Sequence, residues 1–223
     1  MTGVEPLIEA LHARDVERAR ELIEAESELI DAVAADGDTP LMAAIDARHA
    51  EAVDLLLARG AAVDLFTAAA LGDLTRIAKL MDDGDPRRFR FNQQGWTALH
   101  LAARYGQTAA VRTLLDKGAY LPQLSATHVT NSPLHEALTN GHRETAELLI
   151  ERGSRVDTTD ARTWSAMHMA VASANPAVVE LLLECSAPID ERRSNGQTPL
   201  AMAIELGADD LANLLREHGA SLE

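Results

Sequence analysis

Three histidines sit at matching places in a chain of 223 residues: His100 in WTALHLAA, His135 in NSPLHEAL and His168 in WSAMHMAV. Imidazole is a common metal ligand and the usual proton shuttle at neutral pH, so a recurring histidine first suggests metal binding or acid–base catalysis. Their spacings of 35 and 33 residues argue against both. If each belongs to one layer of a stack, neighbouring rings stand roughly 10 Å apart, whereas a shared metal needs bonds of about 2 Å. A structural task accounts for them instead: each ring bonds backbone or hydroxyl groups at the base of a loop and ties one unit to the next. His12, His49, His128, His142 and His218 form no HxxxH or HExxH arrangement.

The other reactive groups are equally bland. Cys185 is the single cysteine, which excludes an intrachain disulfide and suits a reducing compartment. Its neighbours Glu184 and Ser186 give no reason for a depressed pKa. The pairs Asp82-Asp83 and Asp209-Asp210 flank turns or open helices, where acidic residues favour the helix dipole. No glycine cluster reads GxxxxGK or GxGxxG, so no cofactor, metal or catalytic residue is expected.

The elements that carry these residues repeat. Leu7, Leu41, Leu65, Leu99, Leu134, Met167 and Leu200 follow one another at steps of 34, 24, 34, 35, 33 and 33 residues. Such a period predicts a solenoid, one supersecondary unit per repeat. Within a unit the apolar pattern is helical twice. Leu99, Ala102 and Ala103 share one face until Gly106, and Ala110, Val111, Leu114 and Leu115 repeat the spacing until Gly118. Thr39, Thr97, Ser132, Ser165 and Thr198 are expected N-caps, and Pro40, Pro133 and Pro199 follow three of them, where no amide partner is lost. Helices of about three turns do not hold in water, so stability must come from stacking.

These residues resemble ankyrin repeats, whose motif reads TPLHxAAxxG followed by an apolar run and GA. The matches are TPLMAAI at 39–45, TALHLAARYG at 97–106, SPLHEALTNG at 132–141, SAMHMAV at 165–171 and TPLAMAIELG at 198–207. The resemblance implies an all-α solenoid of helix-turn-helix pairs with projecting β-hairpin loops. It makes residues 1–223 a single domain, with units beginning near Pro6, Pro40, Asp64, Ala98, Pro133, Ala166 and Pro199. The first unit, with Arg14 at the turn-glycine place, and the last, with Arg216 where other units have leucine, are expected to be polar caps. Arg48 and Ala174 also replace the first turn glycine, which puts the detail of those turns in question. The 24-residue step leaves no room for a hairpin between Gly60 and Leu65 and should open a gap in the row of loops.

The resemblance also implies protein recognition through hairpin residues and the outward ends of the first helices. Carried over by position, the fourth unit offers Phe91, Gln93, Gln94, Trp96, Arg104 and Tyr105, the fifth His128 and Asn131, and the sixth Arg162 and Trp164. Both tryptophans and one of two tyrosines fall in this set, in a chain with only 3% aromatics. Large amphipathic rings and arginine carry binding energy, so a patch centred on Trp96, Tyr105 and Trp164 is expected. The competing reading lays each tryptophan over a neighbouring loop as a shield. In PRRFRF at 86–91, strand alternation would send Arg88 and Arg90 one way and Phe91 the other, forming a basic finger. A net charge of −15 opposes general nucleic-acid binding. No apolar run reaches membrane-spanning length, and the first residues lack the pattern of a signal peptide. The expectation is a non-catalytic, cytoplasmic interaction module, monomeric when free, with a protein partner. A self-assembling structural protein, or a regulatory subunit of an enzyme, is the alternative.

Overall fold

The computed structural model describes residues 3–82, 90–121, 131–160 and 163–222. Among them lie fourteen α-helices and one short 3-10 helix, in pairs. The pairs are α1 (Glu5–His12) with α2 (Val16–Ala25), α3 (Pro40–Asp46) with α4 (Ala50–Ala58), and α5 (Leu65–Leu71) with α6 (Leu74–Asp82). Then come α7 (Ala98–Arg104) with α8 (Thr108–Asp116), α9 (Pro133–Thr139) with α10 (Arg143–Glu151), α11 (Ala166–Ala172) with α12 (Pro176–Glu184), and α13 (Pro199–Glu205) with α14 (Asp209–Glu217). Most are seven to nine residues long, too short to persist alone. What holds them is one continuous apolar layer from Leu7 to Leu215, to which both helices of each pair supply apolar side chains, chiefly leucines and alanines.

The helices begin where the side chains direct. Thr97 Oγ1 accepts from the His100 amide at 3.3 Å, Ser132 and Ser165 do the same for His135 and His168, and Thr39 and Thr198 cap α3 and α13. Asp64 takes this role for α5, accepting from the Thr67 amide at 2.9 Å. The turns between paired helices are more uniform than the residues in them. Gly72, Gly106, Gly141 and Gly207 are left-handed, and so are Arg14, Arg48 and Ala174, with φ of 61°, 51° and 52°. Stacking against both neighbours therefore imposes the turn even where no glycine eases it.

Among the described residues the projecting loops close as tight turns without strands. In the second unit Ala34 N donates to Asp38 O and Gly37 N to Ala34 O, and the same two bonds recur at 92–96, 160–164 and 193–197. One isolated bridge, Thr159 to Ser165, is found among the described residues. Between Gly60 and Leu65 the chain passes directly into α5, the Ala61 amide donating back to Leu56 and the Ala62 amide to Asp31.

The gap expected in the row of loops is closed. A Cβ on Gly37, at the second unit's loop tip, would lie 2.5 Å from the Cβ of Gln93 at the fourth unit's tip, so the two loops touch. With no loop of its own, the third unit lets its neighbours meet over it. The last unit is only half a cap: Arg216 faces water on α14, yet Ile204 on α13 is 43% exposed at a place where Ala103, Leu138 and Val171 are fully buried.

Candidate recognition face

The histidines take up structural posts. His100 Nε2 donates to the Asn131 carbonyl at 3.0 Å, His135 Nε2 to Thr158 Oγ1 at 3.0 Å and His168 Nε2 to the Gln197 carbonyl at 3.0 Å, each partner lying in the next unit. In each ring Nδ1 then accepts from the N-cap amide, at 3.2 to 3.4 Å. Both nitrogens are committed and one neutral tautomer is fixed. Burial pushes His100 and His135 down to about 4, and His168 also below its ordinary value. Cys185 is no more reactive: burial, with Glu184 and Glu147 nearby, raises its thiol pKa.

The ends of the first helices are built differently. Asp46 and Arg104 occupy equivalent places two units apart, and the place between them belongs to Ala70. Across this small residue Arg104 Nε reaches 3.9 Å from Asp46 Oδ1, and the Tyr105 hydroxyl donates to the same carboxylate. On its other side Arg104 Nη1 lies 3.3 Å from Glu136 Oε2, while Asn131 Nδ2 donates to Glu136 Oε1 at 2.7 Å. Glu136 is 3% exposed, in a place that holds Leu101 and Met169 in the flanking units. A buried carboxylate persists there because it is hydrogen-bonded and ion-paired. Burial and the Asp46 carboxylate push the Tyr105 hydroxyl above its usual pKa, so it remains a donor.

Of the residues chosen by position, three come together. The Arg104 guanidinium lies 5.7 Å from the centre of the Trp96 ring, which also meets His100 edge-on, and Tyr105 follows Arg104. Phe91 is 41% exposed. Gln93 and Arg90 are exposed as well, and Gln94 accepts from Asn92 within its turn. Two choices change. Asn131 is buried, its side chain on Glu136 and its carbonyl on His100, so it supports the face from behind. Trp164 lies under the guanidinium of Arg193 from the next loop, at 4.4 Å, while Thr163 Oγ1 accepts from the Ser194 amide at 2.6 Å. That tryptophan therefore joins a loop-to-loop contact. Arg88, His128 and Arg162 lie outside the described residues. Asp46 and Glu136 were missed by position. The signal for Glu136 was present, a carboxylate inside LHEAL where sister units carry LHLAA and MHMAV.

A profile of ankyrin repeats in three copies matches residues 2–67, 65–160 and 153–223. The chain belongs to the ankyrin-repeat family. Ankyrin-repeat relatives include B-cell lymphoma 3 protein of Homo sapiens, 28% identical over 57% of this chain and 31% of its own length. The transient receptor potential cation channel subfamily A member 1 homolog of Caenorhabditis elegans is 30% identical over 60% of the chain and 12% of its own length. Glycerophosphocholine phosphodiesterase gde1 of Schizosaccharomyces pombe is 32% identical over 58% and 12%. The chain thus spans less than a third of the length of these relatives. Ankyrin repeats generally mediate protein–protein interaction and are typically non-catalytic. No helix among the described residues is long and apolar enough to cross a membrane.

Proposed function

We propose that this ankyrin-repeat chain is a non-catalytic recognition module, one domain over residues 1–223, that grips a partner protein through the loop and first-helix end of the fourth unit. The observation that carries the reading is the setting of Arg104, flanked by the Trp96 ring and held by carboxylates from the second and fifth units. An arginine and an aromatic ring held in place before binding lose little entropy when a partner arrives, which favours them as anchors. Phe91 and Gln93 extend the face along the loop. Asn131 supports it from behind rather than touching the partner, and Trp164 belongs to the contact between the sixth and seventh loops. A monomeric, cytoplasmic protein is the simplest setting for this reading.

The test is a comparison of proteins captured from native lysate by the wild-type chain and by a Phe91→Ala, Trp96→Ala variant with the same helical circular dichroism. Each anchor removed is expected to weaken a specific partner by roughly thirty-fold, corresponding to about 2 kcal/mol. A partner retained equally by both proteins would place the interface elsewhere.

A further inference from the structure

The edge of the stack where first helices turn into second helices carries a row of stitches. In the fourth, fifth and sixth units the residue that opens the second helix sends its side chain back to the preceding unit: Gln107 Nε2 donates to the Ala70 carbonyl at 3.2 Å, His142 Nε2 to Arg104 O at 3.0 Å and Asn175 Nδ2 to Gly141 O at 2.9 Å. The first two units are joined in the reverse sense, Arg14 Nη2 donating to Arg48 O at 2.8 Å. Two seams lack this stitch: that between the sixth and seventh units, where Ala208 has no polar side chain to offer, and that between the second and third. Asp73, at the stitching place, turns inward and caps its own helix through the Arg76 amide at 2.9 Å. His49 opens α4 and makes neither kind of bond, and its buried Nδ1 has no hydrogen-bond partner among the described residues.

A depression of about 410 Å³ lies at this unstitched place. Its apolar lining is Ile45 and Val53 from the second unit with Ala70 and Leu71 from the third, and Tyr105 and Gln107 of the fourth unit form a wall. Its polar margin is unlike the rest of this acidic surface. Arg48 projects from a left-handed turn and is exposed, and its guanidinium has no ion pair among the described residues. It stands close enough to His142 for its charge, after burial, to help hold that ring below its ordinary pKa. His49 adds a second ring nitrogen source beside Arg48, and Asp54, one helical turn into α4, supplies an acceptor.

We propose that this depression is a second binding site, taking the C-terminal residue of a partner chain that ends in an apolar side chain. The apolar side chain fills the space over Ile45, Val53, Ala70 and Leu71. The terminal carboxylate pairs with Arg48 and receives a hydrogen bond from His49, and the amide N–H of the same residue donates to Asp54. Charge complementarity selects this occupant. One unpaired guanidinium asks for one carboxylate, and Asp54 turns away a second anion while accepting an N–H. The volume suits a single residue, and no continuous groove is needed. The site is separate from the recognition face, with which it shares only Tyr105, so either can fail without the other.

N-acetylleucine, titrated into isotope-labelled protein while backbone and methyl resonances are followed, is the probe. Shifts are expected to cluster on Ile45, Val53, Ala70 and His49, with a dissociation constant in the millimolar range for so small a ligand. N-acetylleucinamide, which lacks the carboxylate, should bind about three- to five-fold more weakly, as for one partly exposed ion pair. Arg48→Gly keeps the turn, since glycine is the residue used there by the third, fourth and fifth units, and should erase the difference between acid and amide. Ala50→Phe, at an exposed place on the rim, should block both ligands. Equal affinity for acid and amide in the wild type, or shifts indifferent to Ala50→Phe, would overturn the proposal.

Discussion

His100 and His135 couple stability to pH through bonds that only a neutral ring can make. Their pKa values fall from 6.5 to about 4 on folding, so the unfolded chain binds more protons between those values. The stabilisation is complete above pH 6.5 and is lost as the pH falls toward 4, by about 3 kcal/mol per ring at the lower end. Urea unfolding followed across that window should show a steep loss in the wild type. A His100→Gln, His135→Gln variant should be weaker at neutral pH but flatter in slope. A slope equal to that of the wild type would assign the acid sensitivity to carboxylates instead. Ala174 tests backbone strain at the same scale. Its φ of 52° belongs to the region that glycine adopts freely, and its side chain makes no bond that the turn depends on. Ala174→Gly should therefore raise stability by about 1 kcal/mol, read as a higher urea midpoint at unchanged slope.

At the scale of elements, each helix pair is a unit that cannot exist alone, and its ends show how neighbours were recruited to hold it. The loop tryptophans are aimed by short polar residues: Asn92 Oδ1 accepts from the Trp96 amide at 2.8 Å and Asp160 Oδ1 from the Trp164 amide at 2.8 Å. On the outer edge the C-terminal ends of second helices carry cations that reach back, Arg59 to Glu24, Lys117 to Asp82 and Arg152 to Asp116. These pairs are exposed and contribute little individually, so they set register more than stability. Caps, turns and the histidine posts were legible in the sequence because each is a local motif with its own geometry. The roles of Asp46 and Glu136 were not, because they depend on residues 59 and 32 positions away.

Across the whole molecule the third unit acts as a wedge. It has no loop before α5, and it has Ala70 where its neighbours have Asp46 and Arg104, so the second and fourth units join over it at the loop tips and at the Tyr105–Asp46 bond. Nearest-neighbour coupling is the rule in repeat arrays, and here the contacts between the second and fourth units skip a neighbour. Tyr105→Phe, altering one atom of the fourth unit, should speed amide hydrogen exchange in α3 two units away and leave α11, also two units away in the other direction, unchanged. Equal effects in both directions would mean general loosening rather than a bond that bridges the wedge.

The repeat period, the paired helices, the caps and the family were determined by sequence, since each rests on spacing within one unit and on apolar faces that must meet. Which guanidinium meets each tryptophan ring, whether a missing loop leaves a gap, and where an unstitched seam leaves a depression were decided only in the assembled stack. Those features depend on distances between units, and such distances are set by the combined size of the residues packed between them.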